Sequence, residues 1–119
     1  MFLQFRDTYI NTNNIGFIKV KETEDTKKYF CMYRKKASIK EKEINIHFGD
    51  INDSEYFMKL GFYKLNDYFI NPGSVNFISQ RDIKESENVM VHFSFVNGLE
   101  LELRLNKGRF QVWADNRIR

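Results

Sequence analysis

The sequence predicts a mainly β protein with minor helix, built as two tandem β-β-β-β-α repeats that pack as an antiparallel sandwich or a partly open barrel. Three observations predict this class: a segment near the N-terminus recurs 60 positions later, several segments alternate apolar and polar residues, and each half ends in a short segment of helical character. Residues 1–60 are expected to form the first repeat and residues 61–119 the second, together in one compact body.

The chain has 119 residues, the size of one ordinary domain. A separate unit of about 60 residues would bury only about 60% of the surface of its unfolded chain, so we expect the halves to pack together. Apolar residues make up 42% of the chain, which excludes compositional disorder. The sequence shows no apolar run near the ~18 residues of a membrane span and no signal-peptide pattern, so a cytoplasmic location is expected.

The internal repeat relates residues 2–18 to residues 62–78. Six of the 17 aligned pairs are identical, where chance would give about one. The identical pairs are Phe2/Phe62, Asp7/Asp67, Ile10/Ile70, Asn11/Asn71, Phe17/Phe77 and Ile18/Ile78. Duplication is therefore the better interpretation, and the shared positions are expected to be scaffold.

A turn signal lies in the middle of each repeated segment. Residues 71–74 read Asn-Pro-Gly-Ser, and residues 11–14 read Asn-Thr-Asn-Asn. Gly73 is expected to take a positive φ, and Asn13 to do so in its place, because Asn tolerates the left-handed region better than most residues. The asparagine that opens each turn is expected to bond its side chain to the backbone.

The next segments are charged loops and then hairpins. Residues 19–28 and 79–88 are expected to be the loops. Residues 89–93 alternate like a strand, and Asn97-Gly98 is a signal for a two-residue hairpin turn. Residues 99–105 place leucines on one face and polar residues on the other, as in a half-buried strand.

The first repeat has its fourth strand at residues 43–48 in this alignment, which makes its hairpin three residues longer than that of the second repeat. A helix is expected at residues 53–60, where cap-type residues precede an acidic first turn and an apolar side. Its counterpart is expected at about residues 107–118, although Gly108 weakens that pattern.

Groups that could carry catalysis are few and poorly placed. His47, in an expected fourth strand, and His92, in a third strand, face the more polar side at no ligand spacing from Cys, Asp or Glu. Cys31 lies in an aromatic run, where a buried small hydrophobe is expected rather than a reactive thiol. Glu100 and Glu102 are expected on a solvated strand face. With no phosphate loop and no nucleophile elbow, we expect no enzyme activity and no metal or cofactor.

A basic stretch at residues 27–42 is the one feature that the halves do not share. It holds seven cations and one acid, in a chain whose net charge is only +3. The residues expected to bind a partner are Lys27, Lys28, Tyr33, Arg34, Lys35, Lys36, Lys40 and Lys42. The alternative is a solvated hairpin tip, where lysines discourage edge-to-edge strand pairing.

Residues 63–78, YKLNDYFINPGSVNFI, are followed by a strand, Asn97-Gly98 and another strand. This order resembles a small module of bacterial and phage proteins, and it is similar in pattern to the FlbD-type flagellar proteins. The match covers about 45 residues per copy and rests on turn and hydrophobic pattern. This chain departs from the pattern by its duplication and its basic stretch. The resemblance implies a small β-rich accessory protein and assigns no functional residue.

The leading hypothesis is a non-enzymatic interaction protein that binds a macromolecular partner, with a protein as the expected partner. A phage or mobile-element accessory role, such as inhibition of a host system, is compatible with a compact, motif-poor chain. One alternative is a nucleic-acid-binding protein that uses residues 27–42. Another is sequestration of a small ligand between the halves or between subunits. The sequence leaves open whether the chain forms a homo-oligomer, and no membrane association is expected.

Overall fold

The computed structural model describes residues 1–117. Ten strands and two α-helices follow one another as β1 (Phe2–Phe5), β2 (Thr8–Asn11), β3 (Ile15–Glu22), β4 (Lys27–Lys35), β5 (Ser38–Ile44), α1 (Asp53–Lys59), β6 (Tyr63–Leu65), β7 (Tyr68–Ile70), β8 (Val75–Asp82), β9 (Asn88–Phe95), β10 (Glu100–Asn106) and α2 (Lys107–Arg117). Two short 3-10 turns, Thr12–Asn14 and Pro72–Ser74, precede β3 and β8. The chain is mainly β, as the sequence predicts.

The strands form three sheets in which every pairing is antiparallel. Strands β1 and β2 form a two-stranded sheet, β5-β4-β3-β7-β6 a five-stranded sheet, and β10-β9-β8 a three-stranded sheet. Two β-β-β-β-α repeats imply two four-stranded sheets, and this division is wrong. Five strands precede each helix, and the β6–β7 hairpin of the second half pairs with a strand of the first half.

The pairing of β7 with β3, which we call the inter-half joint, connects the two halves of the chain. Its facing pairs are Phe17 with Ile70, Ile18 with Phe69, and Lys19 with Tyr68. Two more backbone hydrogen bonds extend it: Val20 N donates to Asp67 O at 2.7 Å, and Asn71 N donates to Gly16 O at 3.1 Å. The halves therefore share one sheet.

Two hydrophobic cores lie on opposite faces of the shared sheet at the inter-half joint. Ile18 and Phe69 belong to the first core, which β1, β2, β4, β5 and α1 complete. Phe17 and Ile70 belong to the second core, which lies against β9, β10 and α2. Successive strand residues point to opposite faces, so β3 and β7 must be apolar on both sides.

The charged segments expected to be loops are mostly strand. Residues 19–22 continue β3 and residues 27–28 begin β4, so only residues 23–26 form a turn, closed by Thr23 and Thr26. The second half is similar, with β8 reaching Asp82 and β9 starting at Asn88. The expectation is wrong because these hairpin ends carry exposed, polar cross-strand pairs such as Glu22 with Lys27.

The asparagine turns are confirmed in one respect and wrong in another. The Asn11 and Asn71 side chains accept hydrogen bonds from the backbone N–H groups of Asn13 and Gly73. Gly73 and Asn13, however, do not have positive φ, because each turn is a right-handed 3-10 turn. Within residues 2–18 and 62–78, the left-handed residues are instead Arg6 and Asn66, at φ 55° and 52°, in the tight turns between β1 and β2 and between β6 and β7.

The β4–β5 and β9–β10 hairpins share a register that the sequence alignment misplaced. Tyr29 faces Ile44 and Val89 faces Leu105, so β5 ends at Ile44 and the strand expected at residues 43–48 is wrong. The first hairpin is not longer: Lys36, at φ 56°, lets two residues close it without glycine. The second hairpin needs three residues between Phe95 and Leu99, with Gly98 at φ 87°.

Both expected helices are confirmed. Asn52 caps α1 by accepting a hydrogen bond from Glu55 N, and Phe57 of this helix is fully buried. Helix α2 follows β10 directly and buries Phe110 and Trp113, whereas residues 45–52 separate β5 from α1. The expected end of the second helix at Ile118 lies outside the described residues.

Cys31 lies in β4 inside the first core and is fully buried, as expected. Burial raises the pKa of its thiol to about 12. At neutral pH the side chain is therefore a protonated, small apolar group rather than a nucleophile.

Candidate functional site

The residues expected to bind a partner lie on both faces of the β4–β5 hairpin. Tyr33 faces Lys40, and Cys31 faces Lys42, in the antiparallel register. Facing residues project to the same side of a sheet, and alternate residues share a side, so Lys35 also projects there. We call Tyr33, Lys35, Lys40 and Lys42 the basic face. Lys28 and Arg34 project to the other side, and Lys36 lies in the turn.

Lys27 belongs to a partly buried polar cluster at the start of α1. Its Nζ lies 2.7 Å from Asp53 Oδ2, and the Tyr29 hydroxyl donates a hydrogen bond to the same oxygen at 2.6 Å. That hydrogen bond and the charge of Asp53 raise the pKa of Lys27 against the opposing effect of burial. Burial, followed by the bond to Asp53, raises the pKa of Tyr29. Lys27 therefore stabilises the junction of β4 with α1.

The Asp53 carboxylate makes the fold sensitive to acid. Burial alone would raise its pKa, but hydrogen bonds from Lys27 and Tyr29, the charge of Lys27 and the Ser54 N–H together lower it below the ordinary 3.8. The folded state therefore binds a proton at Asp53 less readily than the unfolded state. The stability from this group is present above pH 3.8 and is lost as the pH falls through the folded-state pKa.

We expect Asp53→Asn to remove this part of the acid dependence. The variant should be less stable than the wild type at pH 7, because Lys27 loses its charged partner, and the difference should shrink as the pH falls below 3.8. Urea unfolding from pH 7 to pH 2 measures it. A difference that is constant over the whole range would contradict the assignment, and Asp50→Asn, an exposed neighbour, is the control.

Arg34 connects the tips of two hairpins. Its Nη1 donates to Asn97 O at 3.0 Å, and its Nε donates to Lys36 O at 3.2 Å. The guanidinium lies so close to Gly98 that a side-chain Cβ there would be only 2.7 Å from Nη1. Both of these hydrogen bonds of the Arg34 guanidinium are therefore made within the chain.

The cations of the basic face are open to solvent. Lys35, Lys40 and Lys42 are exposed and form no ion pair with any residue between 1 and 117. Lys42 Nζ lies 5.0 Å from the centroid of the Phe5 ring. On the other side of the hairpin, Lys28 is 3.9 Å from Glu43. The basic face therefore carries three positive charges that have no acidic partner among residues 1–117.

A cleft borders the basic face where the β4–β5 hairpin passes β2. It has a volume of ≈ 340 Å³ and is lined on this side by Tyr33, Lys35 and Lys42 and on the other by Asn11 and Asn14. Amide, phenol and ammonium groups therefore converge on one open groove. Such a groove suits an extended, negatively charged segment better than a compact apolar ligand.

Strand β5 is an edge strand of the five-stranded sheet. Six of its seven residues are exposed, from Ser38 to Glu43, and only Ile44 is buried. Its outer backbone N–H and C=O groups have no strand beside them within the described chain. The basic face and an open hydrogen-bonding edge therefore coincide.

The equivalent surface of the second half is hydrophobic core. There Phe93 faces Leu101 and Val91 faces Leu103, in the register that Tyr33/Lys40 and Cys31/Lys42 occupy in the first half. The sequence alignment missed this difference between lysine and leucine because it matched the fourth strands in the wrong register. The cross-strand pairing, which local sequence does not specify, is what reveals it.

The histidines do not meet in a site. His92 Nε2 lies 3.0 Å from Glu100 Oε1, and Nδ1 lies 3.7 Å from Glu102 Oε2, on the solvent side of β9 and β10. His47 is exposed in the segment after β5, so its expected place in a strand is wrong. Across residues 1–117 no cluster of three His, Cys, Asp or Glu side chains has the geometry of a metal site.

Comparison with known proteins found no matching family model, no similar curated protein and no similar solved structure. Within residues 1–117, neither helix is long and apolar enough to cross a membrane.

Proposed function

We propose that the chain is a non-enzymatic binding protein whose partner is an extended acidic segment of another protein. One observation supports this most strongly: the edge strand β5 carries Lys40 and Lys42 on one side, exposed and without acidic partners in the described chain. An added strand would satisfy the backbone groups of β5, and side chains at alternate positions would meet the two lysines.

The side chains on the other face of β5 favour one orientation of a bound strand over the other. Glu41 and Glu43 project there, two residues apart like Lys40 and Lys42 on the basic face. A bound strand with carboxylates on one side and neutral or basic residues on the other is favoured. The reverse register would place like charges opposite each other, which is unfavourable.

We expect charge reversal on the basic face to abolish partner capture. The variant K35E/K40E/K42E and a matched control, K59E/K64E/K84E, change net charge equally at exposed positions, and the control sites lie outside β5. Tagged proteins are used to capture partners from cells that encode the chain, and captured proteins are quantified by mass spectrometry. Partners retained at wild-type levels by the first variant would overturn the proposal.

A second candidate, single-stranded nucleic acid, is favoured by one detail. Tyr33 lies on the same face as Lys35 and Lys40, and an aromatic ring between cations can stack a base while the cations contact phosphates. Oligonucleotide affinity should then fall with salt at a log–log slope of roughly −0.7 per phosphate contact. An acidic peptide whose binding survives competition with oligonucleotide would decide against this candidate.

We also propose that the chain arose by duplication of a five-strand-plus-helix unit at residues 1–60 and 61–119, and that the five-stranded and three-stranded sheets form a sandwich. The recurring order of elements, the paired left-handed residues Arg6 and Asn66, and the second core between the two sheets support this.

A further inference from the structure

Three aromatic side chains are exposed at positions where the other half buries an aromatic. The exposed fractions are 56% for Phe2, 61% for Tyr9 and 54% for Phe77. Their counterparts 60 positions away are Phe62, Phe69 and Phe17, which are 0%, 0% and 5% exposed. These three buried residues lie in or beside the inter-half joint.

The strands that carry the exposed aromatics have open edges. The inter-half joint pairs β3 with β7; their sequence counterparts are β8 and β2. Within the described residues β8 pairs only with β9, at the edge of the three-stranded sheet, and β2 pairs only with β1. The chain therefore contains both strands that a second joint of this kind needs, β2 and β8, and these strands do not pair with each other.

We propose that β8 of one copy of this chain binds the β1–β2 hairpin of a second copy, in the geometry of the inter-half joint. The partner is a second copy because the chain itself carries the complementary surface. The residues identical between the halves fall in the two elements that form the joint, the hairpin and the strand after it.

The expected register follows from the joint already present. Phe77 would face Ile10 of the second copy, Ile78 would face Tyr9, and Ser79 would face Thr8, as Phe17, Ile18 and Lys19 face Ile70, Phe69 and Tyr68. Gln80 N–H would donate to Asp7 O, as Val20 N–H donates to Asp67 O. Phe17 and Phe77 are identical, and so are Ile10 and Ile70, so the Phe–Ile facing pair would be the same in the two joints.

The side-chain amide of Asn11, which opens the first asparagine turn, is available to donate hydrogen bonds to a second copy. In the inter-half joint, Asn71 Nδ2 donates across the interface to Thr12 O at 2.9 Å and to Ile15 O at 3.2 Å. Asn11 only accepts a hydrogen bond within its own turn, and its amide donates to no group in the described chain. Against β8 of a second copy, its amide would reach the carbonyls of Pro72 and Val75.

Self-association through this surface ends in either of two assemblies. Two copies can exchange hairpins reciprocally, which gives a closed dimer, or each copy can bind the next, which gives an open chain. Both bury Phe2, Tyr9 and Phe77 and remove the edge of β8. Analytical ultracentrifugation over a concentration series distinguishes them, and we expect wild-type mass above that of one chain.

Two variants test the complementary surfaces separately. Tyr9→Lys places a charge on the hairpin, and Gln80→Pro removes an N–H that points away from β9, since the equivalent Val20 N–H points away from β4. Each variant alone is expected to remain a monomer. Gln80→Ala is the control for Gln80→Pro, because it removes the same side chain and keeps the backbone N–H. Met58→Lys and Val112→Lys are the controls for Tyr9→Lys, because each replaces an exposed apolar residue elsewhere with lysine.

Mixing the two variants gives the sharpest result. The intact hairpin of Gln80→Pro can bind the intact β8 of Tyr9→Lys, so the mixture should form 1:1 dimers although neither variant associates alone. The proposal is overturned if the wild type stays monomeric up to about 1 mM, if the three control variants dissociate as the test variants do, or if the mixture fails to associate.

Discussion

Replacing Phe57 with alanine is expected to lower the free energy of unfolding by about 3–5 kcal/mol. Phe57 is fully buried, and its ring lies 4.7 Å from that of Phe69 and 5.6 Å from that of Tyr29. The ring therefore fills the space between α1, β4 and β7. Alanine would leave a cavity at a point where both halves of the chain meet, and backbone shifts in one half would have to be matched by the other.

The measurement is equilibrium urea unfolding followed by tryptophan fluorescence, since Trp113 is buried in the second core. Met58→Ala, on the exposed side of the same helix, also introduces alanine into α1 and is expected to change stability by less than about 0.5 kcal/mol. A Phe57→Ala variant no less stable than Met58→Ala would show that α1 is not packed on the first core as described.

Replacing Asn71 with alanine is expected to cost about 2–3 kcal/mol, well above the cost of the same change at Asn11. The buried Asn71 side chain donates to Thr12 O and Ile15 O and accepts from Gly73 N. Ser74 Oγ also donates to Ile15 O, and the Ile15 N–H donates to Thr12 O, so of these three groups alanine leaves only the Gly73 N–H without a partner.

Asn11→Ala is the matched control, because this residue makes the same turn contact but no hydrogen bond to the other half. We expect it to cost about 0.5–1 kcal/mol at protein concentrations where the chain is monomeric. Equal effects of the two substitutions would mean that the contacts of Asn71 with the first half add nothing to stability.

Much of the local structure is predictable from the sequence. The leucines of β10 face the core while Glu100, Glu102 and Arg104 face solvent, as strict alternation predicts. Helix α1 begins after Asn52 and carries its acidic residues in the first turn, as capping rules predict. These features depend on residues that are close together in the sequence, so the local sequence pattern is sufficient to predict them.

The pairing of β7 with β3 depends on contacts between distant residues, and one signal for it was present. Residues 15–20, IGFIKV, are apolar on both faces, as suits an interior strand, whereas their counterpart VNFISQ in β8 carries Asn76, Ser79 and Gln80, as suits an edge. The basic face had no comparable signal. It depends on which residues of β5 face Tyr33, and register is set by a two-residue turn without glycine.

The shared sheet also has a consequence for synthesis on the ribosome. Ile18 pairs with Phe69, so β3 acquires its second neighbour only after roughly fifty more residues have been made. At ~5–20 residues per second, the apolar β3 of a nascent chain lacks that neighbour for several seconds. We expect the N-terminal half to remain bound by chaperones over that interval, and to be released when the β6–β7 hairpin emerges from the exit tunnel.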